Sequence, residues 1–176
     1  MTRGRAGIGP GADPGAVEGV GRVVSGDGDA RGLSIALCAS RFHEPLVRRL
    51  VEGAARALAG LGAEAEQIDL VWVPGAFELP LAAQALARSG QYDAILALGV
   101  VIRGETPHFD YVCAEAARGI AEVSRHESLP VLFGVVTAND PEQAYARCGG
   151  ASNKGEDVAK AAVELVSALR RARDGR

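Results

Sequence analysis

From Leu33 onward the chain repeats one pattern four times: a short run rich in Val, Ile and Leu, then a longer amphipathic stretch. The runs cover residues 34–39, 68–73, 94–100 and 131–137. Each has the length of a strand, and a nearly continuous apolar run is what a parallel strand buried on both faces requires. The stretches between them have helical periodicity. Residues 45–61 place Leu46, Leu50, Ala54 and Leu58 on one face, with Gly60 and Gly62 positioned to end the helix. Residues 78–88, 109–126, 141–147 and 154–173 follow the same logic. Parallel strands need long crossovers, and alternating strands and helices supply them. The pattern predicts an α/β fold, a three-layer αβα sandwich around a four-stranded parallel sheet. At 176 residues the chain is short for a barrel.

Composition supports one globular unit: 48% of residues are hydrophobic and 23% charged, enough apolar material for a core. Residues 1–32 differ, with ten Gly plus Pro10 and Pro14. Such a stretch buries too little surface to offset its ordering entropy, so it is expected to be a flexible extension, with 33–176 as the folded domain. Within it, Val20–Val24 is a β-prone patch suited to adding as an edge strand, including to a neighbour's sheet. The net charge of −3 and scattered basic residues give no nucleic-acid footprint. No apolar run approaches the roughly 20 residues of a membrane helix. The first residues lack a signal-like apolar segment, so the expected location is cytoplasmic. Cys38, Cys113 and Cys148 form no C-x-x-C pair, and neither a disulfide framework nor a zinc site is expected. Cys113 reads as a packed thiol ahead of a nucleophile. The basic cluster Arg170, Arg171, Arg173 and Arg176 reads as a solvated helix end.

In open parallel sheets ligands bind beyond the carboxyl ends of the strands. The loops there read Ser40-Arg41-Phe42-His43-Glu44, Pro74-Gly75-Ala76-Phe77-Glu78, Arg103-Gly104-Glu105-Thr106-Pro107-His108 and Ala138-Asn139-Asp140. In the third, Thr106 fits a helix N-cap, Pro107 the first helical position, and Gly104 a close backbone approach. Unpaired amides at a helix start make an anion site, suited to a phosphate. His108 then lies beside the anion, and histidine is the side chain whose charge ordinarily changes near neutral pH. The plainer reading, a cap followed by an exposed histidine, stands level with it on these grounds. Glu78 serves equally as a helix-start carboxylate or as an acceptor for sugar-like hydroxyls, and Phe42 as a stacking platform or an incidental exposed aromatic. Gly19-x-Gly21 precedes no helix and Asn153-Lys154-Gly155 lacks the phosphate-loop order, so nucleotide fingerprints are absent. His43 and His126 have no partner at metal-ligand spacing.

Four segments together resemble the 6,7-dimethyl-8-ribityllumazine synthase family. They are Ser40-Arg41-Phe42, the run from Pro74 to Pro80, the run from Gly99 to Val112, and Asn153-Lys154-Gly155-Glu156-Asp157. The resemblance extends from about Leu33 to the last helix, and its third segment is the most specific. It implies a flavodoxin-like sheet, no metal or organic cofactor, and active sites between adjacent subunits of a pentamer. It further implies condensation of 5-amino-6-(D-ribitylamino)uracil with 3,4-dihydroxy-2-butanone 4-phosphate, a step of riboflavin biosynthesis. By the same resemblance Phe42 stacks on the uracil, Ala76, Phe77 and Glu78 line the ribityl chain, and Val100, Val101 and Ile102 add backbone contacts. Glu105 and Thr106 hold the phosphate through loop amides, with the Glu105 side chain turned away, and Arg147 completes that site. Phe133 and Lys154 come from the neighbouring side, and His108 moves protons. Members that remain single pentamers often carry an insertion at the link 149–152, whereas members that close into sixty-subunit shells keep it short, as here, and riboflavin synthase is a candidate partner. Two other readings remain at this stage, a flavin-binding module without turnover and a structural shell protein. His108 at the phosphate favours catalysis, because a pure binder gains little from a titrating group there.

Overall fold

The strand Ile35–Ser40 (β1) is buried along its whole length, and Ala94–Ile102 (β3) is buried over its first seven residues. Ile68–Val73 (β2) and Val131–Ala138 (β4) mix buried and exposed positions. That contrast places β1 and β3 at the centre and the other two at the edges. The computed structural model, which describes residues 15–149 and 152–174, has the order β2-β1-β3-β4 with every pairing parallel. The α/β sandwich expected from the periodicity is therefore the fold.

Helices cover both faces, as a wholly parallel sheet demands. Glu44–Gly60 (α1), Pro141–Cys148 (α4) and Lys154–Arg173 (α5) pack on Leu37, Ala39, Leu96 and Leu98. Leu79–Arg88 (α2) and His108–His126 (α3) pack on Ala36, Cys38, Ile95 and Ala97. Boundaries shift from the expected ones by a residue or two. The largest shift is in β3, which runs on through Val101 and Ile102 because β4 pairs with it to Ala138. The extension carries two residues to the mouth of the sheet.

The segment Asn153-Lys154-Gly155 proves to be a helix start and a helix–helix contact. Asn153, 3% exposed, accepts from the Glu156 amide and donates to the Arg49 and Cys148 carbonyls at 2.8 and 3.0 Å. Gly155 lies so close to α1 that any Cβ would collide with the Leu50 carbonyl, and Gly53 meets Asn153 in the same way. One buried amide thus joins α1, α4 and α5 and satisfies three backbone groups that burial would otherwise leave unpaired.

Part of the N-terminal stretch lies against this body. Ala30 is buried, its amide donating to the Leu61 carbonyl at 2.9 Å, and the Asp27 amide donates to Ser167 Oγ at 3.1 Å. Arg171 reaches Asp27 and the Ser25 carbonyl. Over Val20–Val24 no strand forms within the single chain, and Val20 and Val23 are exposed. Residues 1–14 lie outside the described residues, as do Gly150, Ala151, Gly175 and Arg176.

Candidate active site

The strand order reverses between β1 and β3, so the loops leaving these strands diverge to opposite faces and open a crevice at their carboxyl ends. A cleft of about 650 Å³ lies there. Three of the four loops singled out from the sequence contribute to it.

The first two loops are tied to each other. The Arg41 amide donates to the Val73 carbonyl at 2.8 Å and the Phe42 amide to the Pro74 carbonyl at 3.1 Å. This turns Phe42 outward, 68% exposed, onto the rim of the cleft. His43 follows in the left-handed region at φ 59°, and its ring meets Phe42 edge-on at 5.0 Å and 85°. Burial lowers the pKa of His43, favouring the neutral imidazole. After β2 a 3₁₀ turn, Ala76–Glu78, leads into α2. Ala76 is buried, Phe77 stands exposed at the mouth, and the Glu78 carboxylate folds back over Gly75. Pro at the second position of α2 needs no amide partner.

The third loop is built differently from the expectation of a Thr106 cap. Pro107 is the N-cap, already helical at φ −63° and ψ −4°, and α3 begins at His108. No side chain caps this helix. The reason is local: Pro107 adopts the first turn itself, its carbonyl accepting from the Asp110 amide at 3.0 Å, so Thr106 stands one residue too early to serve. Among the described residues the amides of Gly104, Glu105 and Thr106 find no acceptor within the chain. Donors left open at the positive end of a 19-residue helix are the physical requirement for binding an anion.

The cleft brings together Phe42, Ala76, Phe77, Glu78, Val100, Val101, Ile102, Thr106 and His108 of the expected residues. Glu105 is exposed and does not line it. Phe133, Arg147 and Lys154 do not line it either. Phe133 sits on the edge strand β4, 38% exposed, on the same side of the sheet as Val131 and Val135. Arg147 is near the end of α4 and donates to the Gln143 carbonyl at 3.0 Å, and Lys154 opens α5 with Asp157 at 3.6 Å.

Sequence reading gave no site role to five lining residues: His43, Gly75, Phe109, Tyr111 and Val112. Tyr111 is one turn from His108 on α3, a spacing that signals a shared helix face once the helix start is known. His43 carries no comparable signal, because its left-handed backbone and its ring contact are tertiary facts. Cys113 is half-buried, its pKa raised by burial and by Asp110 against an opposing effect of Arg103, which does not favour a nucleophilic thiolate. Burial pushes the Cys38 thiol up to about 12 and Cys148 up to about 11. Among the described residues no group of three or more His, Cys, Asp or Glu is arranged to hold a metal, and no helix is long and apolar enough to cross a membrane.

Comparison with known proteins identifies relatives over most of the chain. The family model described as 6,7-dimethyl-8-ribityllumazine synthase matches residues 32–170. A protein of that name from Desulfovibrio desulfuricans is 50% identical over 149 residues, covering 84% of this chain and 96% of the relative. Another, from Desulfatibacillum aliphaticivorans, is 50% identical over 147 residues, covering 83% and 95%. A match this long, spanning every strand and each loop of the cleft, shows that the chain belongs to the 6,7-dimethyl-8-ribityllumazine synthase family.

Proposed function

We infer that the chain is a transferase of riboflavin biosynthesis. It condenses 5-amino-6-(D-ribitylamino)uracil with 3,4-dihydroxy-2-butanone 4-phosphate to 6,7-dimethyl-8-ribityllumazine, releasing phosphate and water. The observation that carries the reading is the uncapped start of α3, which puts open amides and His108 into the same cleft as Phe42 and Glu78.

The chemistry distributes over the cleft accordingly. The keto-phosphate lies with its anion on the Gly104–Pro107 loop, near His108. Phe42 stacks on the uracil, Glu78 accepts from ribityl hydroxyls beside Ala76 and Phe77, and the backbone of Val100, Val101 and Ile102 borders the pyrimidine. The amine attacks the ketone, the carbinolamine loses water to an imine, phosphate leaves, and ring closure follows. Each step moves a proton, which is work for His108. Holding two substrates face to face supplies much of the remaining rate advantage.

Phe133, Arg147 and Lys154 belong in this scheme to the site of an adjacent subunit, since all three are partly or fully exposed and none lines the cleft of its own chain. A ring repeating one heterologous contact satisfies every site, and a pentamer is the ring the family reading supports. Exposed Leu81, Tyr111, Phe133 and Tyr145 supply apolar surface for that contact. The short link at 149–152, of which Gly150 and Ala151 lie outside the described residues, favours a sixty-subunit shell. The unit from Leu33 onward is the catalytic domain, its location is cytoplasmic, and riboflavin synthase is a candidate companion.

The test is to mix both substrates with the full chain and follow the lumazine chromophore together with phosphate release, while light scattering coupled to size separation reports the assembly. Stoichiometric product and phosphate are expected from a species of at least five subunits. Binding without product rejects the enzyme, and a fully active monomer rejects the shared site.

A further inference from the structure

The loop that would hold the phosphate has almost nothing of its own to fix it. Gly104, Glu105, Thr106 and Pro107 are exposed, and among the described residues neither the Thr106 nor the His108 side chain makes a hydrogen bond within the chain. Both ends of the loop nevertheless meet one side chain, that of Arg103. Its amide extends the β3–β4 ladder, donating to the Ala138 carbonyl at 2.9 Å. Its guanidinium donates to Asp110 through two nitrogens, at 2.9 and 3.3 Å, and through Nε to Asn139 Oδ1 at 3.3 Å. The same group lies over the Phe109 ring, 4.2 Å from its centroid. Phe109 and Asp110 directly follow His108. Asn139 is held in turn by α4, its amide donating to Gln143 Oε1 at 3.1 Å.

Half-exposed ion pairs contribute little to stability, so this arrangement is poorly explained as a fold-stabilising device. A planar fork that pairs with a carboxylate and stacks on a ring does define an orientation. Arg103 does not line the cleft. The geometry points to Arg103 as a positioning residue, a clamp that holds the first turn of α3 against the β4–α4 loop and thereby sets the Gly104–Thr106 amides and His108 in catalytic register. This rests on the reading of that loop as the phosphate site.

Displacement of reacting groups by about 1 Å can cost a hundredfold in rate. For Arg103→Gln the expected result is a fall in kcat of about tenfold and a rise of several-fold in the keto-phosphate KM, with the uracil KM nearly unchanged. Asp110→Asn decides how Arg103 acts. As the partner of a clamp its loss shifts both parameters in the same direction, and the double variant is no worse than Arg103→Gln alone. Were Arg103 simply a cation for the phosphate, removing a neighbouring carboxylate would lower that KM, and this outcome overturns the proposal. Arg103→Lys keeps the charge without the fork, so full activity in that variant also overturns it. Arg118→Gln, which removes an exposed pairing with Glu115 on the same helix, serves as the unaffected control. Measuring His108→Ala in parallel separates the two readings. If it is impaired while Arg103→Gln is normal, only the clamp fails, whereas a normal His108→Ala means the loop is not the reaction site.

Discussion

Helices α3 and α4 begin at the carboxyl ends of adjacent parallel strands, yet their first turns are finished in opposite ways. At α4, Asp140 is extended, its carboxylate accepts from the Gln143 amide at 2.7 Å, and Pro141 fills the first position. At α3, Pro107 occupies the cap position and contributes no side-chain acceptor. Both starts carry the same dipole and the same kind of open amide. One is closed by its own carboxylate, which offsets the positive end locally. The other stays open and requires an external anion to complete it. A helix start therefore becomes a candidate phosphate site through what is missing from it, and His108 takes its place in the cleft because α3 starts there.

The strongest way to break this contrast is to give α3 the cap that α4 has. Pro107→Asp places a carboxylate where the phosphate is expected. At about 4 Å and an effective dielectric near 20, like charges repel by about 4 kcal/mol, so the keto-phosphate KM should rise at least about a hundredfold. Thermal stability should hold or increase, because Asp is a favourable cap. An unchanged KM in steady-state kinetics would place the phosphate elsewhere.

Removing the proton-transfer group leaves the anion site and isolates the chemistry. His108→Ala should slow lumazine formation by roughly ten- to a hundredfold at saturating substrate, the low end of general acid–base effects. Rapid single-turnover measurement checks that the loss lies in the condensation step; an undiminished rate would take His108 out of the mechanism.

Arg147 projects from the helix whose start is closed, and in the proposed scheme it serves a neighbour's phosphate. Arg147→Ala should weaken keto-phosphate KM by about 2 kcal/mol, the scale of one charge-assisted contact, and leave the uracil substrate much less affected. Equal weakening of both substrates would assign Arg147 a structural role. Mixing Arg147→Ala with His108→Ala subunits sharpens the point, since a shared site predicts partial recovery in mixed rings.

The smallest effect belongs to the closed helix itself. Asp140→Ala should cost about 1 kcal/mol of stability, the usual value of an N-cap carboxylate, with kinetics preserved in the folded protein. A selective rise in keto-phosphate KM instead would mean that α4 also holds the anion.

What the sequence by itself determined were those features that depend on residue type along a few consecutive positions. The two strands buried on both faces, β1 and β3, are nearly continuous apolar runs, and α1 and α5 repeat their apolar residues at helical spacing, so the layers could be read directly. Gly104, Pro107 and His108 likewise marked the third loop, because backbone access, a fixed φ and a titrating ring are properties of single residues. Tertiary structure decided everything that depends on distance. It moved the α3 start from Pro107 to His108, put left-handed His43 against Phe42, and gave Asn153 three carbonyl and amide partners. It also kept Phe133, Arg147 and Lys154 out of the cleft that holds His108. Local sequence sets the preferred conformation of a turn or a helix, but the approach of residues far apart in the chain depends on sheet order and helix packing, where many weak contacts act together.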